Sequence, residues 1–171
     1  MMGEKIKLVK QSLKVLLELM GEKDKLGFVL FNHEAKKLLD LTYTTSENKK
    51  YILKLIDSIY SSGGTYILGG LKIAIDMLKS SSEEQKSNSN KLISSSIILL
   101  SDGMDNRMNN EEIGKGIRDM TKNFNSVFSL HTFGYDNDHA PKIMNTLQQF
   151  EMVAFIMFKN IKKSQNISLT F

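Results

Sequence analysis

At 171 residues the chain has the length of one domain and can bury most of its apolar surface in a single core. It is 41% hydrophobic and 25% charged, with a net charge of +4; its lysines are spread along the chain, so no basic arm for nucleic acid is expected. Cysteine is absent, which excludes disulfides and thiolate metal sites and fits a reducing, cytoplasmic setting. No apolar run reaches the roughly 18 residues of a membrane span, and charges run through the first turns, so neither a membrane partner nor a secretion signal is expected.

Ile6, Val9, Leu13, Leu16, Leu17 and Met20 recur at steps of three and four, which predicts an amphipathic helix ended by Gly21 as a C′ residue. Leu26 to Phe31 is a short apolar run, a buried strand. Asn32-His33-Glu34 is a turn, with His33 a plain turn residue, and Lys37 to Thr42 is a second strand. The connection is too short for a crossover helix, so these two strands form an antiparallel hairpin. Thr45 or Ser46 caps the next helix, whose stripe is Ile52, Leu55, Ile56 and Ile59. After Ser61-Ser62-Gly63-Gly64-Thr65 comes a helix with Leu68, Leu71, Ile75 and Leu78 on one face.

Residues 80–90 are rich in Ser, Asn, Glu and Lys and read as a flexible polar surface loop inside the one domain, because the α/β alternation resumes beyond it. Ser95 to Leu100 is the most hydrophobic strand, and a central one. A polar loop from Asp102 leads to a helix marked by Ile113, Ile117, Met120 and Phe124. Val127 to Phe133 is a strand, Pro141 opens a helix, and Met152 to Phe158 is a last apolar strand. Only the 37–42 strand is expected to run antiparallel. The fold class that follows is α/β: a Rossmann-like, doubly wound, mostly parallel sheet with one antiparallel edge hairpin. Ligands of such sheets bind beyond the C-terminal ends of the strands, where Asp102 lies.

Several local patterns fail their own chemistry. Gly64 to Gly69 has phosphate-loop spacing, but Gly70-Leu71 stands where Lys and Ser/Thr are required. A calcium loop starting at Asp102 would need Gly at Arg107 and Glu at Ile113. Asp136-Asn137-Asp138-His139 reads as a polar turn before Pro141, and His131 as a strand residue. The ten methionines fall mostly at core positions.

The Gly63-Gly64-Thr65 loop, the run Ser96-Ile97-Ile98-Leu99-Leu100-Ser101-Asp102-Gly103, the segment Asp24-Lys25-Leu26-Gly27-Phe28-Val29-Leu30-Phe31 and His131-Thr132-Phe133-Gly134-Tyr135, in this order, resemble the von Willebrand factor type A domain family, in its cysteine-poor, intracellular branch. The resemblance covers nearly the whole chain, 1–171, as a single domain. It implies a sheet of strand order 3-2-1-4-5-6 and a metal-ion-dependent adhesion site on top of it. In the family the metal is held by an Asp-x-Ser-x-Ser loop after the first strand, a Thr and an Asp, and a partner's acidic residue completes its coordination. By position Thr65 matches that Thr and Asp102 that Asp. The hard oxygens of a hydroxyl and a carboxylate suit Mg²⁺ without neutralising it.

The sequence opens at Met1-Met2-Gly3-Glu4-Lys5-Ile6, already at the first helix, with no Asp-x-Ser-x-Ser loop. The expectation is therefore an N-terminally truncated or degenerate copy, its first strand missing. Strands 26–31 and 95–100 then flank a vacant position or collapse together, and Mg²⁺ binding is weak or absent. The function expected is a non-enzymatic module that binds another protein through an acidic residue. The rivals are a Mg²⁺-dependent hydrolase using Asp102 and Asp105, which lacks a convincing nucleophile–base pair, and a non-functional fragment of a larger protein.

Overall fold

The computed structural model describes residues 3–60, 63–86, 94–101, 108–122, 128–134 and 157–159. Among these residues four helices and five strands follow in the order α1 (Glu4–Leu19), β1 (Lys25–Phe31), β2 (Ala35–Tyr43), α2 (Ser46–Ser58), α3 (Ile67–Lys86), β3 (Ser94–Ser101), α4 (Asn110–Thr121), β4 (Phe128–Gly134) and β5 (Met157–Lys159). All five strands form one sheet, and two apolar layers lie on it.

Period-two alternation in β1 divides the layers. Leu26, Phe28 and Leu30 join Val9, Leu13 and Leu17 of α1 and Ile52 and Ile56 of α2 in one cluster. Val29 and Phe31 face the other, built on Leu71, Ile75 and Leu78 of α3, Ile113 and Ile117 of α4, and Ile97, Leu99, Phe128 and Leu130 of β3 and β4. Helices thus cover both faces, as the α/β alternation requires.

The helix ends are secured by specific donors. Thr45 caps α2, its hydroxyl accepting from the Asn48 N–H at 3.3 Å. Asn109 and Glu112 form a reciprocal capping box on α4, each side chain accepting from the other's backbone N–H at 2.9 Å. At the far ends two lysines from neighbouring helices bind carbonyls that no longer have an intrahelical partner. Lys49 of α2 donates to Met20 O at 2.6 Å, and Lys79 of α3 to Met120 O at 2.9 Å. Gly21 does not end α1 in the left-handed manner expected. Among the described residues the positive-φ glycines are Gly3 and Gly63, and the Gly21 N–H instead donates to Asp24 Oδ2 at 2.7 Å. Buried Thr44 donates to Gly21 O at 2.6 Å and closes this corner.

The polar stretch expected to be a loop from residue 80 begins as helix: α3 continues through Ser80, Ser81 and Ser82 to Lys86, with residues 87–93 outside the described set. Ser80 donates back to Asp76 O at 3.0 Å and Ser82 to Lys79 O at 2.8 Å, while Ser81 is buried. Serine hydroxyls bonded to the preceding turn are compatible with a helix, so composition alone overstated the break. The Pro141 helix and the 136–139 turn lie outside the described residues.

The strand order is β2-β1-β5-β3-β4. β1 and β2 pair antiparallel, as the hairpin reading requires, and β3 and β4 pair parallel in unbroken register from Ser95–Phe128 to Ser101–Gly134. The last strand departs from expectation. It is antiparallel to both its neighbours and sits between β1 and β3, where the family order places its first strand. The centre is therefore neither wholly vacant nor collapsed. Lys25 and Leu26 pair with Phe158 and Met157, and Ser94, Ser95 and Ser96 with Lys159, Phe158 and Met157. A three-residue strand flanked by two unpaired central edges finds more backbone partners there than at the outer edge of β4.

Candidate functional site

β1 and β3 both run antiparallel to β5, so they are parallel to each other, and their C-terminal ends, Phe31 and Ser101, lie at one end of the sheet. Three chain segments meet there around a cavity of about 320 Å³. Asn32, His33 and Glu34 come from the β1–β2 turn, Gly63, Gly64 and Thr65 from the loop before α3, and Ser101 from the end of β3. Deeper down the walls become apolar, with Val9 and Leu13 of α1 on one face of the sheet and Leu71 and Ala74 of α3 on the other.

The loop before α3 holds its shape through Gly63. Its φ of 76° lies in the left-handed region, and a Cβ there would lie 2.7 Å from His33 Nδ1. The turn is held by two short bonds: Glu34 N–H donates to Asn32 Oδ1 and Asn32 N–H to Glu34 O, both at 2.8 Å. Thr65 is half-buried two residues before α3 begins, and Ser101 is buried.

Of the two metal ligands expected, Thr65 is therefore at the mouth. Asp102 lies outside the described residues, one position beyond Ser101, as does Asp105 of the hydrolase alternative. Sequence reasoning missed the contribution of Asn32, His33 and Glu34. The available signal was topological: a hairpin turn that follows a parallel strand stands at that strand's C-terminal end, the ligand-binding end of such sheets. His131 is a strand residue, as expected; it is exposed on β4, with Nε2 3.5 Å from Ser129 Oγ.

The donors at the mouth are oxygens of hydroxyls, an amide and a carboxylate, with one imidazole. This set fits a hard cation such as Mg²⁺ in kind. It falls short in number: among the described residues no three His, Asp or Glu side chains come together as a metal cluster. Among the same residues, no helix is long and apolar enough to cross a membrane.

A mixed sheet, in which only β3 and β4 pair in parallel, with helices on both faces, an antiparallel edge hairpin and a loop cluster over the strand ends define a Rossmann-like α/β module. The sequence profile of the von Willebrand factor type A domain matches residues 1–168, and the chain belongs to that family. It is 30% identical over 141 residues to human inter-alpha-trypsin inhibitor heavy chain H3, a match covering 81% of this chain and 15% of the relative. It is 29% identical over 104 residues to a probable E3 ubiquitin-protein ligase, WAVH2, of Arabidopsis thaliana, covering 60% of this chain and 14% of that protein. The chain thus spans about one seventh of the length of these relatives. A solved von Willebrand factor type A structure from Catenulispora acidiphila shares the fold at a TM-score of 0.61 and 15% identity, over 83% of this chain and 31% of that one.

Proposed function

We propose that the chain is a protein-binding module that carries out no chemistry of its own and offers its partner the mouth at the C-terminal ends of β1 and β3. Modules of this family generally mediate protein–protein contacts. The observation that carries the reading is the convergence of Thr65 with Ser101, the residue immediately before Asp102, on one cavity mouth. In this reading Thr65 and Asp102 hold Mg²⁺, and an acidic side chain of the partner is attracted to the charge they leave uncompensated. Bound there, the ion would supply electrostatic attraction. The chain's own residues fix the mouth's shape through Gly63 and the Asn32–Glu34 turn. With two strong ligands the affinity for Mg²⁺ is low, because the ion surrenders its water reluctantly. The cysteine-free composition suits the cytoplasm.

Backbone amide spectra recorded during Mn²⁺ titration test the location, since a bound paramagnetic ion broadens nearby signals. The expected result is selective broadening of Gly63, Gly64, Thr65 and Ser101, reversed by excess Mg²⁺. Broadening centred elsewhere, or none at millimolar ion, overturns the metal assignment. Loss of partner capture in an excess of free glutamate would support recognition through a carboxylate.

A further inference from the structure

β2 stands at one side of the sheet, and its outer edge has no partner strand among the described residues. That edge is open along part of its length. From Asp40 onward side chains occupy its backbone groups. Asp40 Oδ1 accepts from the Leu41 N–H at 3.0 Å, the Thr42 hydroxyl donates to Asp40 O at 2.8 Å, and Asn48 Nδ2 donates to Tyr43 O at 2.8 Å. From Ala35 to Leu39 no such cap occurs among the described residues. An antiparallel edge strand turns the N–H and C=O of alternate residues away from its one partner, where an added strand can reach them.

Beside this edge α3 and the hairpin enclose a groove of about 400 Å³, at the end of β1 opposite the mouth. Lys37 and Asp40 line it from β2, and Ile73, Asp76, Met77 and Ser80 from α3. Gly27 lets the two walls approach, since a Cβ there would lie 2.7 Å from the Met77 methyl. The charges of the groove are unevenly matched. Lys37 is bound to Asp40, and the Lys25 ammonium lies 4.8 Å from the centre of the Tyr43 ring. Asp76 is exposed on α3, and among the described residues its carboxylate makes no ion pair.

We propose that this groove is a second binding surface, which takes an extended segment of another protein as an added strand along Ala35–Leu39, with a Lys or Arg of that segment on Asp76. The surface is separate from the mouth and needs no metal. Main-chain bonds to β2 give affinity for an extended backbone, and the groove between β2 and α3 gives preference at one side chain. Charge complementarity selects a basic one, because Asp76 is the carboxylate left unmatched. A second copy of the chain fits poorly: two β2 strands paired antiparallel over the same stretch would set their exposed Lys37 side chains opposite each other.

A phage-displayed library of random dodecapeptides, panned on the whole chain in excess EDTA, tests this without a contribution from a metal at the mouth. The expected winners carry a Lys or Arg among β-branched residues. The strongest, made synthetically, should shift the backbone amide signals of Ala35–Leu39 and Ile73–Ser81 and leave those of Gly63–Thr65 in place. Methylating alternate backbone nitrogens of the peptide, in one of the two phases, should weaken binding on the order of tenfold by removing ladder donors. Asp76→Ala should weaken it about two- to fivefold and Asp76→Lys further, with both variants unfolding at the parent's midpoint. Acidic winners, shifts confined to the mouth, or no enrichment would each overturn the proposal. So would binding indifferent to both methylated forms or to Asp76→Lys.

Discussion

Gly63 and His33 face each other across the mouth, with the imidazole Nδ1 only 2.7 Å from the point where a Cβ on residue 63 would sit. The contact ties the loop before α3 to the β1–β2 turn. Gly63→Ala meets two penalties there: a left-handed φ of 76° and the collision with His33. The expected cost is about 1–2 kcal/mol, read as a lower urea midpoint with unchanged slope. Adding His33→Ala should recover the part due to collision and leave the part due to φ. Equal stability of Gly63→Ala and the parent would show that the loop does not hold this conformation.

Lys49 and Lys79 perform the same task in the two layers, each donating to a carbonyl at the C-terminal end of a neighbouring helix. Replacing either by Met keeps the stem and removes the ammonium. Each change should cost about 0.5–1.5 kcal/mol, and the double variant should cost their sum because the sites share no partner. Chemical denaturation of the three variants checks this; strong non-additivity would mean the layers are coupled through the sheet.

Asp40 offers a pH test. The hydrogen bond from Lys37 is the largest influence on its carboxyl and holds it below its ordinary value, aided by the Leu41 N–H, with burial opposing. A depressed folded-state pKa adds stability above the unfolded value of about 3.9, and that stability is lost as pH falls through the lower folded value. Both side chains are largely exposed, so the effect is below about 1 kcal/mol and shrinks with salt. Thermal midpoints of the parent and Asp40→Asn should differ slightly at pH 6 and converge in strong acid. A difference that widens on acidification would reverse the sign of the argument.

Helices and hairpin were legible because their signals are local. The steps linking Val9, Leu13 and Leu17, or Ile113 and Ile117, report a buried helical stripe whatever lies elsewhere, and all five residues are buried. Thr45 as a cap and the short Asn32–Glu34 connection are equally local. The continuation of α3 through Ser80–Ser82 was hidden because serine composition does not reveal whether hydroxyls bond forward to a turn or back to a helix. The place of β5 was hidden for a different reason. A three-residue strand, Met157-Phe158-Lys159, looks alike in any position, and its place depends on which edges elsewhere lack partners. Thr65 at the mouth was legible through its family likeness, whereas Asn32, His33 and Glu34 reach it only through the topology of β1 and β2.

The division of labour between Thr65 and Asp102 gives the last test. Thr65 is placed at the mouth, and Asp102 follows Ser101 directly in sequence. If both serve one ion, Thr65→Ala removes a neutral hydroxyl and Asp102→Ala a full charge. The second change should weaken Mg²⁺ binding more, and neither should alter the unfolding free energy by more than about 1 kcal/mol. Titration calorimetry on the chain as it stands should give only weak, millimolar binding. Supplying an upstream strand that carries an Asp-x-Ser-x-Ser loop should tighten it, in competition with β5 for the slot between β1 and β3. In that longer chain Asp102→Ala should abolish metal-dependent partner binding and leave the circular dichroism unchanged. Micromolar Mg²⁺ binding by the 171-residue chain would show that other oxygens complete the site. Partner binding by the longer chain that ignores both a chelator and Asp102→Ala would remove the metal from the mechanism.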